Sequence, residues 1–402
     1  MDARTAPATE LLLTFNMGST TLKVAAFDRL APATSLFRLS VDIASGQAWG
    51  EGAVPPLLAA FEPHLDVTDI VTLVASHAAA AGQRVGAIAH RVVHGGRFDA
   101  PQWVTDEVLQ ELEDLEPLCP LHQPPALEII WHLRALWPEL PQLVVFDTAF
   151  HLRQPALATT YALPAPLRAQ GIIAHGFHGI SCQHAMGELR VRHPELAGGR
   201  VLIAHLGHGA SMTAVQHGQS VASSMGFSTL DGLPMGTRAG QLDPGIMLYL
   251  LDQGWNKSRL TDLLYHQSGL LGLSGLSADM RELLHSPSDS ARFAVDYFCY
   301  RAARMAASLA CAMEGLDALV FTGGVGEHQP QVREKICQRL GWLGVTLDPD
   351  ANLTGRGAIS APASRCRVLV VACDEEREIA RLGGELIARE PQPAAYPQKK
   401  PA

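Results

Sequence analysis

The chain has 402 residues, 47% of them hydrophobic and 18% charged, with a formal net charge of -9. That length exceeds the usual single core, so two domains are expected, and the mild acidity offers no basic footprint for nucleic acid. Seven scattered cysteines form no Cys-x-x-Cys pair, and no window resembles a secretory leader or a membrane span. A soluble, cytoplasmic protein with reduced thiols is therefore expected.

Apolar strand-like runs alternate with helical periodicity along the chain, which is the pattern of an α/β fold. The first runs are 11–15 and 23–27, two strands around a Gly-Ser-Thr turn. A third, 85–89, leads into His90-Arg91-Val92-Val93-His94-Gly95-Gly96. An Arg fork, two imidazoles and paired glycines at a strand end read as a small-anion site, or else as an Arg in a structural ion pair. Zinc is not expected from His90 and His94, because Arg91 stands where the zinc-protease pattern has Glu. Thr105-Asp106 opens a helix with Val108, Leu109, Leu112 and Leu115 at helical spacing.

The strand 143–146 ends in Asp147, where α/β active sites assemble; this carboxylate would hold magnesium water, orient a nucleophile or cap the next helix. His175-Gly-Phe-His178-Gly179 adds imidazoles beside glycines. Strands 201–205 and 212–215 repeat the plan of 11–27, so two hairpins with hydroxyl-bearing glycine turns suggest duplicated phosphate-holding domains. Arg238 lies between Gly236 and Gly240, and a long helix spans about 289–314 before Gly315. After strand 318–321, Thr322-Gly-Gly-Val-Gly-Glu327 reads as a strand-to-helix turn before a helix through Val332 and Ile336. It is not the dinucleotide fingerprint, since Gln329 stands at the third Gly, and neither a P-loop nor a nucleophile elbow occurs. Strand 368–372 precedes the acidic Cys373-Asp374-Glu375-Glu376, and the Pro-rich tail 391–402 reads as disordered. Two Arg, several His, strand-end carboxylates and Gly turns fit phosphoryl transfer better than hydrolysis.

In this order the motifs resemble the acetate kinase family, over about residues 11–386. They are Asn-x-Gly-Ser-x-Thr-x-Lys (16–23), the His-Arg-Val-Val-His-Gly-Gly run, Pro-Leu-His (120–122), Phe-Asp-Thr-Ala-Phe-His (146–151), His-Gly-Phe-His-Gly, His-Leu-Gly (205–207), Met-Gly-Thr-Arg (235–238) and Thr-Gly-Gly-Val-Gly-Glu. The resemblance implies two duplicated actin, hexokinase and Hsp70-like (ribonuclease H-like) α/β domains with a cleft between them. One would be 1–148 plus 376–402, carrying the C-terminal helix and tail; the other, nucleotide-binding, would be 149–375. It also implies a homodimer, with ATP/ADP as co-substrate, Mg2+ (or Mn2+) as cofactor and a short-chain carboxylate as acceptor, yielding acyl phosphate by reversible in-line transfer.

By the same resemblance Arg91, Arg238, His178 and Asp147 are catalytic, and Asn16 and Glu375 organise the metal. Ser19, Thr21 and Lys23 belong to the first phosphate hairpin, and His205, Gly207, His208 and Gly209 to the second. Asp279, Met280, Arg281, Gly324, Val325, Gly326 and Glu327 correspond to the adenosine-contacting stretches, and Arg91, Val93, Leu121, His122 and Thr229 to the acid pocket. The chain departs from the family at His208 for Asn, Ile180 for Thr, Cys182 for His, Gln123 for Asn, Asp374 for Asn and Thr229 for Pro. These departures leave open a nucleotide-binding homologue with impaired turnover, or a kinase for a longer or branched acid.

Overall fold

A computed structural model describes residues 10–18, 21–29, 32, 34–43, 45–52, 67–80 and 84–391. Ser19 and the tail beyond Pro391 lie outside the described residues. The chain divides into two compact units, 1–149 with 374–402 and 150–373. The second boundary falls before Asp374, two residues earlier than the sequence suggests, because Asp374 caps the C-terminal helix by accepting a hydrogen bond from Arg377 N.

Unit 1 is built on a seven-stranded sheet: β1 (Glu10–Met17), β2 (Thr21–Asp28), β3 (Ser35–Asp42), β4 (Ala48–Gly52), β5 (Arg84–Val92), β6 (Gln102–Trp103) and β7 (Gln142–Phe146), ordered β4-β3-β2-β1-β5-β7-β6. β1 pairs antiparallel with β2 and parallel with β5, and β5 pairs parallel with β7. The central β1 is buried on both faces, which explains its unbroken apolar run; β3 alternates, as a strand covered on one face should. Leu11, Leu13 and Phe15 pack with Ile70, Val71 and Val74 of helix α1 (Val67–Ala80) and with Ile129 and Leu133 of a second helix, Gln123–Leu136. Leu12 points to the opposite face, where it and Leu143 lie within 3.5 Å of an ideal Cβ on Gly383 of the C-terminal helix Glu375–Arg389.

Unit 2 repeats the plan with six strands: β8 (Arg200–Leu206), β9 (Ala210–Gln216), β10 (Gln219–Ser223), β11 (Ala318–Thr322), β12 (Gly357–Ala358) and β13 (Arg367–Val370), ordered β10-β9-β8-β11-β13-β12. Here too an antiparallel hairpin leads into two parallel partners, β8 with β11 and β11 with β13. Cys182, Ala185, Met186 and Leu189 of the helix Gly179–Arg192 pack on Val201, Ile203, Val215, Val320 and Leu369. The long helix runs Asp289–Ala312; Glu314 and Gly315 adopt positive φ, and Gly315 N donates back to Ala310 O. The glycine-rich stretch after β11 differs from the expected turn, since Gly323–His328 is already helical and Pro330–Gln338 forms a separate helix. Among the described residues, no helix is long and apolar enough to cross a membrane.

Candidate active site

In unit 1 the register of β5 against β7 pairs Val92 with Phe146, so Arg91 and Asp147 emerge at the carboxyl ends of neighbouring parallel strands. β1 delivers Asn16 from the other side of β5. Arg91 Nε and Nη2 donate to Asp147 Oδ2 at 3.0 and 2.6 Å, and Nη1 donates to Asn16 Oδ1 at 3.0 Å. The Asn16 amide nitrogen in turn donates to Glu375 Oε2 at 2.9 Å and Glu376 Oε1 at 2.7 Å. Burial opposes the Arg91 charge, but the carboxylates of Asp147 and Glu375 outweigh it and hold the guanidinium above its ordinary pKa. Arg91 is therefore both a strand-end ion pair and the hub of a buried carboxylate cluster. Lys23 Nζ stands 4.0 Å from Glu376, while Thr21 opens β2.

Within the 90–96 run, Arg91 enters the carboxylate cluster, and its neighbours make other contacts. His90 is buried against Gln142 Oε1 at 2.8 Å and stacks on Phe15; burial pushes its pKa down to about 4. His94 Nδ1 accepts from Gly96 N, and an ideal Cβ on Gly95 would lie 2.4 Å from Phe146 Cγ, so these glycines serve packing. Gln123, in the place of the family's Asn, accepts from His94 N and donates to the carbonyl oxygens of His94 and Leu112. That clamp ties the segment holding buried Val93 to the start of the Gln123–Leu136 helix, beside Leu121 and buried His122.

The departure at Asp374 also has a partner that the sequence did not announce. Arg38 on β3 donates Nη1 and Nη2 to the two Asp374 oxygens at 2.8 and 2.7 Å, so the carboxylate at this departure meets a cation.

Unit 2 holds a different set. His178 takes the N-cap position of the Gly179–Arg192 helix with φ 58, a left-handed conformation that costs a non-glycine residue about 1 kcal/mol or more and concentrates at functional sites. Its ring stacks on His205 with centroids 4.3 Å apart. His178 Nδ1 lies 2.8 Å from Ser211 Oγ and His205 Nδ1 lies 2.8 Å from Ser181 Oγ. An ideal Cβ on Gly209 would meet Arg238 Nη2 at 3.0 Å and His178 Nε2 at 3.2 Å, and one on Gly207 would meet His205 Nε2 at 3.6 Å. The hairpin turn between β8 and β9, closed by Gly207 N donating to Gly209 O, is thus bordered closely by the Arg238 guanidinium and the Nε2 atoms of His178 and His205.

Arg238 is buried, and its Nη1 donates to the carbonyl oxygen of buried Thr229 at 2.8 Å. The His208 ring packs on Gly236, and that desolvation, followed by the Arg238 charge, pushes its pKa down against the pull of Asp279.

Asp279 caps the short helix Met280–His285 and grips Arg281 with a fork at 2.5–3.1 Å, while Met280 is buried beneath it. Gly324, Val325, Gly326 and Glu327 form the helical turn after β11; Glu327 Oε1 accepts from Cys373 N at 2.9 Å, tying that turn to the end of the β13 segment. Fully buried Arg333, which sequence reading passed over, donates to the carbonyl oxygens of Gly326, Glu327 and Asn352 and to Asn352 Oδ1. Ile180 and Cys182 are buried on the inner face of their helix, with Cys182 Sγ 3.5 Å from Thr213 Oγ1. Both side chains are part of the buried core of unit 2.

A family model described as the acetokinase family matches residues 11–381. The chain belongs to the acetokinase family. It is 52% identical over 307 residues to an acetate kinase of Rhodopseudomonas palustris, covering 74% of this chain and 76% of that protein. It is 43% identical over 386 residues to an acetate kinase of Nitrobacter hamburgensis, covering 92% and 94%. A propionate kinase structure from Francisella tularensis superposes with a TM-score of 0.84 at 33% identity, covering 93% of this acetokinase and 98% of its own chain. An acetate kinase structure from Porphyromonas gingivalis gives 0.81 at 31% identity, covering 94% and 100%. The duplicated actin-like α/β architecture of this acetokinase is the one those structures share.

Proposed function

We propose that this acetokinase transfers the γ-phosphoryl group of ATP to the carboxylate of acetate, with propionate as an alternative acid, giving an acyl phosphate and ADP reversibly. The observation that carries the reading is the convergence at Gly209, where Arg238 Nη2 and His178 Nε2 face one backbone turn. Phosphoryl transfer places charge on the equatorial oxygens of the moving group, and fixed N–H donors stabilise that charge without reorganising. Arg91, held by Asp147 and Asn16, orients the attacking carboxylate, and Val93, Leu121, His122 and Thr229 shape the acid pocket. Lys23, Thr21 and Ser19 serve the first phosphate hairpin, and Asp279 to Arg281 with Gly324 to Glu327 border the adenosine.

In unit 1 the Asn16 carboxamide orders Glu375 and Glu376 and Arg91 holds Asp147, and buried carboxylate oxygens are the donor type a hard divalent cation takes. Asp147 and Glu375 would hold magnesium or manganese, which supplies charge neutralisation to the phosphates when bound.

A homodimer in the cytoplasm completes the proposal. The helix Pro244–Asp252 has no buried residue, and Leu248 and Tyr249 are 65% and 63% exposed, an apolar face that a second copy would cover.

The deciding experiment traps acyl phosphate as hydroxamate with ATP and acetate, propionate or butyrate, with and without magnesium. Magnesium-dependent product with acetate or propionate is expected. Absence of product with every two- to four-carbon acid overturns the reading, and a monomeric mass in light scattering overturns the dimer.

A further inference from the structure

Two buried serines outside every assigned role stand behind the imidazole pair of unit 2. Ser211 and Ser181 are 0% and 1% exposed, and each hydroxyl lies 2.8 Å from the Nδ1 atom of one imidazole of the stacked pair His178 and His205. Both rings turn the other nitrogen, Nε2, toward the Gly207 to Gly209 turn. A neutral imidazole carries one N–H, and the hydrogen bond at one nitrogen decides which nitrogen bears it. If a serine accepted from Nδ1–H, the Nε2 lone pair would face the turn and repel a phosphate oxygen. If the serine donates to Nδ1, Nε2 carries the proton and becomes a donor.

We propose that Ser211 and Ser181 are positioning residues that lock His178 and His205 as Nε2–H tautomers, so that two parallel imidazole donors face one phosphate-holding turn together with Arg238. The inference rests on the phosphoryl-transfer reading above and adds to it what fixes the donors. The surroundings agree with the direction of the bonds. Cys373 Sγ lies 3.5 Å from Ser181 Oγ, so the thiol proton can be given to Ser181 Oγ while the serine proton goes to His205 Nδ1. His178 is held in a left-handed backbone conformation, and its ring meets Ser211 on one edge and His205 on its face. Ser181 is the third residue of the helix that His178 caps, and Ser211 is the register partner of His205 across the β8–β9 hairpin, so each serine is placed by the same helix or hairpin that places a histidine.

The test uses the full chain, labelled with 15N-histidine, in wild type, Ser211→Ala and Ser211→Thr. Nitrogen chemical shifts assign the tautomer of His178 by comparison with His178→Gln, and the hydroxamate assay gives kcat and KM. Wild type is expected to show protonated Nε2 and unprotonated Nδ1. Ser211→Ala should shift the ring to a mixture and lower kcat by about ten- to a hundredfold, with KM for ATP and acetate within about twofold. Ser211→Thr, which keeps the hydroxyl, should follow the tautomer in its turnover. Protonated Nδ1 in wild type, or a Ser211→Ala enzyme that turns over within twofold of wild type, overturns the proposal. So does any variant in which turnover and tautomer part company. Because the nitrogen shifts need no turnover, an inactive wild type would sink the phosphoryl-transfer reading while the tautomer assignment still judged this one.

Discussion

The two units carry the same sheet plan and opposite electrostatics. In unit 1 the hairpin strand β1 and its parallel partners bring Arg91 into a nest of carboxylates, Asp147, Glu375 and Glu376, bridged by Asn16. In unit 2 the equivalent hairpin turn is ringed by Arg238, His178 and His205, with the Arg238 guanidinium donating to a neutral carbonyl and the imidazoles resting on serines. A duplicated fold therefore supplies one cluster rich in carboxylates and one rich in guanidinium and imidazole nitrogens, which the proposed function assigns to the cation and to phosphate oxygens. Sheet topology places the groups, and the residues at the strand ends decide which charge they welcome.

Removing each arginine should separate the two sites most sharply. Arg91→Ala and Arg238→Ala should each lower kcat for acyl phosphate by about 100- to 1,000-fold, the usual loss for one charge-stabilising donor. Stability should differ. Arg91→Ala leaves Asp147, which is 0% exposed, without its buried counter-ion, and should cost about 3–5 kcal/mol in urea unfolding. Arg238→Ala removes, among its interactions, the bond to the Thr229 carbonyl, and should cost at least about 1–2 kcal/mol. Equal losses of stability would erase the contrast.

Acid should probe each unit through a buried histidine next to its site. Unit 1 buries His90 and unit 2 buries His151, whose Nε2 is 3.0 Å from Phe177 O; burial holds both at about 4, with a hydrogen bond opposing it in each case. Below an unfolded value of about 6.5 the unfolded chain binds the extra protons, so the stability these rings contribute is full above that pH and is lost as pH falls toward 4. Each ring should add up to about 1.4 kcal/mol per pH unit to the slope. His90→Asn should flatten the slope measured by calorimetry, and an unchanged slope would show that His90 titrates normally.

Glycine substitutions sharpen the same comparison at smaller scale. Gly95→Ala pushes a methyl onto Phe146, at 2.4 Å from Cγ, and should cost about 1–3 kcal/mol of stability. Gly209→Ala meets the flexible ends of Arg238 and His178 at 3.0 and 3.2 Å, so it should leave unfolding nearly unchanged while lowering kcat about tenfold or more. A Gly209→Ala enzyme with normal kcat would mean that the donors need not converge there.

Much of this was legible in the chain. The eight apolar runs read as strands fall within or overlap β1, β2, β5, β7, β8, β9, β11 and β13, because central strands of a covered sheet announce themselves by continuous apolar sequence. β3, with Arg38 between buried Phe37 and Leu39, was missed because a strand buried on one face interleaves polar residues, and the short edge strands β6, β10 and β12 carry little signal of their own. The family motifs pointed to Arg91, Asp147, His178 and Arg238. The partners that hold them could not be read, since Ser211 joins His178 across 33 residues and Glu376 joins Asn16 across 360. The glycine-rich 322–327 stretch misled because glycines usually end helices, whereas here Gly323 takes φ 78 against the carbonyl of Leu206 and the helix starts at once.

The mildest difference between the chain and its family gives the finest test of the unit 1 cluster. Asp374 adds a carboxylate where many members have Asn, and Arg38 answers it with a fork, so the pair is nearly neutral as a unit. Their side chains are 22% and 30% exposed, where water screens the attraction, and Asn can still accept from Arg377 N and cap the helix. Asp374→Asn should then change unfolding free energy by only about 0.2–1 kcal/mol and kcat by less than about twofold. Arg38→Gln is the more informative partner. It leaves Asp374 beside Glu375 and Glu376, raises the negative charge around Asn16, and should lower the magnesium concentration needed for half-maximal rate. The double variant should return that concentration to the wild-type value. Arg38 Nη1 also lies 3.7 Å from Glu376 Oε2, so an unchanged magnesium requirement in Arg38→Gln would show that neither contact of Arg38 tunes the cluster and that Asp374 serves only as a helix cap.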